Sequence, residues 1–347
     1  MLSRVANSVY WAARYIERAE NTARWVDVNL QMSLDAPISF SDQWQPLVAI
    51  TGELPAFLDR YEVATRERVL RYLTTDPLNP SSILSCLRQA RENARSIREV
   101  LSSEMWEEIN SFYLRVSEYA ASDHASLDSH DFFNDVKLRS HLVAGVADNT
   151  MSHGEAWHFF QLGRLLERAD NTSRLVDVKY FLLLPSTEDV GGPIDEMQWS
   201  ILLRSASAFE MYRKRYGRIE PEAVVEFLLL DKEFPRATLY CLAHADESVR
   251  AISGSPAETV RNPVERLLGR LRSELAYAQA SEIISSGLHE YCDRFQARLN
   301  EVGSAIARTF FAQQPIVEQP STGTSESRAN GDVLSGYQRQ RWTGGNS

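Results

Sequence analysis

Residues Tyr10–Val28 read YWAARYIERAENTARWVDV, and residues Phe160–Val178 read FQLGRLLERADNTSRLVDV. At one spacing, Arg14/Arg164, Glu17/Glu167, Arg18/Arg168, Ala19/Ala169, Asn21/Asn171, Thr22/Thr172, Arg24/Arg174, Val26/Val176, Asp27/Asp177 and Val28/Val178 are identical, and Glu20 answers to Asp170. Self-similarity at a fixed spacing decides the architecture before any local assignment. It also separates the positions both copies kept from those they let drift.

The echo runs beyond this helix. Trp44 matches Trp199, and YLTTDPLNPSSILSCL from Tyr72 matches FLLLDKEFPRATLYCL from Phe227, pairing Asp76 with Asp231, Pro80 with Pro235, Cys86 with Cys241 and Arg95 with Arg250 further on. The sequence therefore divides into repeat 1 (1–152), repeat 2 (153–313) and a tail (314–347). Helical periodicity fills the two repeats and strand alternation is scarce. Asn79-Pro80 and Asn262-Pro263 read as N-cap followed by N1. We expect an all-α, internally duplicated helical bundle with pseudo-twofold halves of about five or six helices each, counting stretches between breakers. The Pro-, Ser-, Thr-, Gly- and Asn-rich tail is expected to be disordered.

The first helix is predicted over about Ser3 to Leu30. On a wheel of ~100° per residue, Tyr10, Arg14, Glu17, Asn21, Arg24 and Val28 share one side, flanked by Glu20 and Asp27. Ala12, Tyr15, Ala19, Ala23, Val26 and Leu30 share the other. The apolar side drifts between copies as packing permits, with Tyr15 becoming Leu165. The polar side barely drifts, although a solvated face need only be polar. Three readings fit. The stripe is a self-paired helix surface, with Glu20–Arg24, Asp170–Arg174, Arg14–Glu17 and Arg24–Asp27 as neighbours. Or it is a buried ionic seam between the halves. Or it is a groove in which Arg14, Asn21 and Arg24 hold an acidic or amide-bearing group by forked donors, Arg18, Arg164, Arg168, Asn171 and Arg174 contributing likewise.

The run LSRVANSVYWAARYIERAENTARWVDVNL, Leu2 to Leu30, resembles the opening of the alpha-E domain family in its LSR-x-A start, the Tyr10-Trp11 pair, Arg14, the Glu17-Arg18-Ala19-Glu20-Asn21 block and Arg24. Gly163 to Arg174 is similar to the same pattern, with Phe160 and Gln161 replacing the Tyr10-Trp11 pair. The resemblance covers the helical body and not the tail. It implies an all-helical protein associated with a circularly permuted ATP-grasp protein and with transglutaminase-like peptidases, and so with ATP-dependent amide-bond formation on a peptide or amino acid.

The bulk properties exclude other classes. A net charge of −10 argues against non-specific binding to nucleic acid or anionic membrane. Cys86, Cys241 and Cys292 are scattered, which fits a reducing cytosol. The N-terminus lacks the apolar core of a signal peptide, so a cytoplasmic location is expected. No P-loop or glycine-rich dinucleotide fingerprint is present, and no cofactor is expected. Glu17-x-x-Glu20 and Glu167-x-x-Asp170 lack the histidine of a di-iron bundle site, so no metal is expected. Cys86 and Cys241 fall in apolar helical runs and read as buried small hydrophobes. A Cys241–His244 dyad is available in one copy only, because Gln89 stands opposite His244.

These observations leave three functions. The chain is a helper or partner subunit of an amide-ligase system. Or it is an enzyme of amide-bond chemistry whose acid–base group is Glu17 or Glu167, held by Arg14 or Arg164. Or the stripe is purely structural. A glutamate boxed in by arginines has a lowered pKa, which suits an orienting group better than a base near neutral pH.

Overall fold

A computed structural model of the chain describes residues 1–35, 44–122, 130–181, 192–257 and 259–312. The expected disordered tail lies outside the described residues. Residues Met1–Ala312 form one compact unit. The described residues are all-α, with fifteen α-helices and no strand among them.

In the N-terminal part the helices are α1 (Ser3–Asp35), α2 (Gln45–Thr51), α3 (Leu54–Tyr61), α4 (Arg66–Thr74), α5 (Ile83–Arg95), α6 (Ser103–Ala121) and α7 (His130–Thr150). In the C-terminal part they are α8 (Glu155–Phe181), α9 (Pro193–Ser205), α10 (Phe209–Tyr216), α11 (Pro221–Val225), α12 (Thr238–Ser253), α13 (Pro263–Tyr277), α14 (Ala280–Ser285) and α15 (Leu288–Ile306). Single π-helical turns, Glu226–Leu230 and Ala307–Phe311, follow α11 and α15. Seven and eight helices replace the expected five or six. The additional ones are short, and a helix of two turns shows too few apolar positions to register as a periodic stretch.

Side-chain caps mark where several helices begin. Thr65, Ser82, Ser102 and Asn262 each accept a hydrogen bond from the backbone N–H three residues on. Asn262-Pro263 is thus the N-cap and N1 of α13. Asn79-Pro80 is not a helix start. The Asn79 amide bonds the Tyr72 carbonyl and the Ser81 N–H within the preceding turn, and Ser82 caps α5 instead.

Helix α1 crosses α8 at the centre of the unit. Helices α5 and α7 pack on α1, and α12 and α15 pack on α8. Helix α6 closes the α5–α7 side and α13 the α12–α15 side, so the two parts repeat one packing pattern in one order. The short helices are exchanged, because α2 packs on α8 and α9 on α1. Close approach at the crossing depends on small side chains. A Cβ on Gly163 would lie 2.3 Å from the Tyr10 carbonyl oxygen and 3.2 Å from the Ala13 Cβ. Glycine therefore stands where the α1 backbone presses against α8.

Candidate functional site

Other helices pack on both α1 and α8, so the glutamates of their polar stripes are enclosed, while Arg14, Arg18, Arg164, Asp170 and Arg174 stay half-buried. Glu17 is 5% exposed, Glu167 1%, Glu20 1% and Arg24 8%. A buried carboxylate must be paired. Here the pairing is reciprocal. Arg168 donates from Nε to Glu17 Oε1 at 2.7 Å and from Nη2 to Oε2 at 2.9 Å. Arg18 donates from Nε to Glu167 Oε1 at 2.6 Å and from Nη2 to Oε2 at 3.1 Å. Each Glu-Arg dipeptide thus binds the other through a two-pronged fork, the strongest geometry open to such a pair.

Around this double fork the two sides differ. Arg14 Nε donates to Glu167 Oε2 at 2.6 Å. Its counterpart Arg164 turns to Gln161 Oε1 at 2.5 Å, the residue standing where α1 has Trp11. Arg236 takes the second place at Glu17. It donates from Nη1 to Glu17 Oε1 at 3.4 Å and Asn21 Oδ1 at 3.1 Å, and from Nη2 to Glu20 Oε1 at 2.9 Å. Asn21 in turn donates to the Glu17 carbonyl at 2.7 Å. Arg24 donates to Glu20 and to Ser207. Asp170 pairs with Arg174 at 2.9 Å.

The neighbour pairs Glu20–Arg24 and Asp170–Arg174 are therefore present, and the other two are not. Arg14 leaves Glu17 for Glu167. Asp27 turns away from Arg24 to His130 Nδ1 at 2.6 Å and Lys137 Nζ at 2.7 Å. Asp177 likewise meets His289 at 2.7 Å. These Asp–His pairs escaped the sequence reading, because each histidine lies over a hundred residues from its aspartate. Arg236 escaped it too, since its counterpart is Ser81 and a position the copies do not share draws no notice.

Electrostatics follow the pairing. Burial pushes the Glu17 carboxyl up, but the Arg168 and Arg236 guanidiniums overcome it and hold the group well below the usual range. Burial is likewise outweighed at Glu167, where Arg18 and Arg14 bring the pKa down to about 2. Burial and the neighbouring Arg236 lower His141 to about 4. Both Cys86 and Cys241 are fully buried, and burial pushes each thiol up to about 12. The Cys241 thiol faces the Pro235 carbonyl, while His244 bonds Glu247, so the two form no dyad. Among the described residues, Asp177, His289 and Asp293 are close enough to share a cation, but His289 is committed to Asp177. No described helix is long and apolar enough to cross a membrane.

The Alpha-E family model, "a predicted alpha-helical domain with a conserved ER motif", matches residues 1–311. Of the chain's four Glu-Arg dipeptides, at 17–18, 67–68, 167–168 and 265–266, the first and third form the reciprocal fork. An uncharacterized protein of Mycobacterium bovis is 24% identical over 94% of this chain, as are two uncharacterized proteins from strains of Mycobacterium tuberculosis. The matched region is 39% of each of those proteins, so this chain spans about two-fifths of their length. No solved structure matches significantly.

Proposed function

The chain belongs to the Alpha-E family, and on that premise we propose that it is a non-catalytic helical subunit of an ATP-dependent amide-bond-forming system. Its partner is a circularly permuted ATP-grasp protein, with a transglutaminase-like peptidase as a further member. The observation that carries the non-catalytic part is the double fork. A base must reach a substrate proton and bind it near neutral pH. Glu17 and Glu167 are enclosed, doubly paired and strongly acidic, which suits a lock between α1 and α8 rather than an acid–base group. The stripe thus works as an ionic seam. The partner reading rests on the family resemblance and on the greater length of the mycobacterial relatives, in which a region like this one is joined to more chain.

Co-purification of the full chain with its candidate ATP-grasp partner tests this, followed by an ATP-turnover assay of each protein alone and together. Stable association is expected, with amide formation that needs the ATP-grasp protein and rises when this chain is added. ATP turnover by this chain alone would make it an enzyme. Failure of the two proteins to associate would remove the partner reading and leave the seam reading standing.

A further inference from the structure

The place that Arg236 fills beside Glu17 has an open counterpart beside Glu167. By sequence equivalence that place belongs to Ser81, whose short side chain leaves a cleft of about 160 Å³. The equivalents of three groups that Arg236 bonds on the closed side recur around the cleft, two of them with no partner in its place. Arg236 bonds Glu20, Asn21 and, through its carbonyl, the Thr172 hydroxyl at 2.9 Å. Their equivalents are Asp170, Asn171 and Thr22, and all three line the cleft. Asp170 Oδ1 and Thr22 Oγ1 are buried and make no hydrogen bond. Asn171 Nδ2 is unpaired as well, but it is a donor whose counterpart, Asn21 Nδ2, bonds Glu17 and not Arg236. Asn171 is 7% exposed and Thr22 1%, so solvent is a poor substitute for the missing partners.

The cleft also carries a charge the closed side lacks. Glu53 lines it, where the equivalent residue is Ala208. Arg18 and Arg174 at its wall are occupied by Glu167 and Asp170. The charged lining then sums to −1, from Glu53, Glu167 and Asp170 against Arg18 and Arg174.

We propose that this cleft binds a guanidinium group, in the position Arg236 occupies on the opposite side. The group comes either from an arginine side chain on a polypeptide or from a free arginine-like small molecule. A planar fork of N–H donors meets Asp170 Oδ1 and the Asn171 side-chain Oδ1 together, as Arg236 meets Glu20 Oε1 and Asn21 Oδ1. A lysine ammonium, a point donor on a flexible stem, does not reproduce that geometry. A carbonyl on the ligand's backbone answers the Thr22 hydroxyl, as the Arg236 carbonyl answers Thr172. The proposal is independent of the ATP-grasp partnership, because it rests on this chain's own residues.

Calorimetric titration of the full chain tests it with three probes. These are agmatine, an acetyl-Gly-Arg-Gly-amide peptide and the matching lysine peptide. The arginine peptide is expected to bind at least about tenfold more tightly than the lysine peptide. Binding of agmatine as well shows that the guanidinium suffices, and admits a free small molecule. Binding of the peptide without agmatine assigns a polypeptide source. Ser81→Arg recreates the closed side and should weaken the arginine peptide by roughly tenfold or more while raising Tm. Should Ser81→Arg fail to fold, Asp170→Asn removes the negative charge and one of the two carboxylate acceptors and should weaken binding similarly. Equal affinity for the lysine peptide, absence of binding by both guanidinium probes, or binding unchanged in the variants would overturn the proposal.

Discussion

A charge buried in a helical interface stabilises only while its partner stays, and the Glu17 fork makes that dependence steep. Glu17→Gln preserves shape but strands the half-buried Arg168 and the buried Arg236. Loss of one member of such a pair costs roughly 3–5 kcal/mol. We expect that loss in urea unfolding, against a change within about 0.5 kcal/mol for Glu107→Gln on the exposed side of α6. A small effect at Glu17 would show that the seam is not a lock. The same chemistry sets an acid limit. Glu167 has its folded pKa lowered to about 2 from 4.5, so its contribution is full above about pH 4.5 and is lost as pH falls towards 2. The span corresponds to on the order of 3 kcal/mol. Unfolding midpoints measured from pH 6 to pH 2.5 should fall in that window, and the fall should shrink in Glu167→Gln. A pH-independent difference between the two proteins would refute the assignment. The identities of these residues were legible in the sequence, because both copies kept them. Their enclosure was not, because a wheel gives the spacing of a polar stripe but not what covers it. Arg236 and Ser81 were illegible for the opposite reason, as the position differs between the copies.

At the scale of the helix, the fork requires α1 and α8 to cross closely. The 2.3 Å separation between a Cβ at residue 163 and the Tyr10 carbonyl leaves no room for a methyl group. The obstacle is backbone, which cannot swing aside as a side chain tip can. Gly163→Ala should destabilise by about 1–3 kcal/mol through overpacking, although alanine is the better helix former by about 1 kcal/mol. Gly154→Ala, whose Cβ would meet nothing within 4 Å, is the matched control. Unchanged stability in Gly163→Ala, measured by thermal denaturation, would mean the crossing is looser than described. The long helices were legible from periodicity and repeat alone. The short ones, α2, α3 and α4, were not, since each spans only seven to nine residues and so holds too few apolar positions to register as a periodic stretch. The misplaced start at Asn79-Pro80 has a similar origin. The dipeptide fits a helix N-terminus, but the buried Asn79 amide satisfies two backbone groups of a turn instead.

For the whole molecule, the reciprocal fork and the exchanged short helices make each part incomplete without the other. Helix α2 packs on α8 and α9 on α1, so a cut between the parts exposes apolar surface on both. It also leaves Glu17 and Arg18 on one fragment, and Glu167 and Arg168 on the other, with half a fork each. Two repeats that each closed on themselves would behave as separable domains, whereas these share one compact unit. We therefore expect a fragment of residues 1–152 to lack a cooperative thermal transition alone, and a fragment of residues 153–313 likewise. Mixing or co-expressing them should restore a single transition and near-native helicity by circular dichroism. Arg18→Gln in the first fragment should weaken reassembly by on the order of a hundredfold, the equivalent of about 3 kcal/mol for a broken buried pair. Independent two-state folding of either fragment would show that the Glu-Arg dipeptides join two finished domains. Reassembly insensitive to Arg18 would show that apolar packing between α1 and α8 suffices to hold the molecule together.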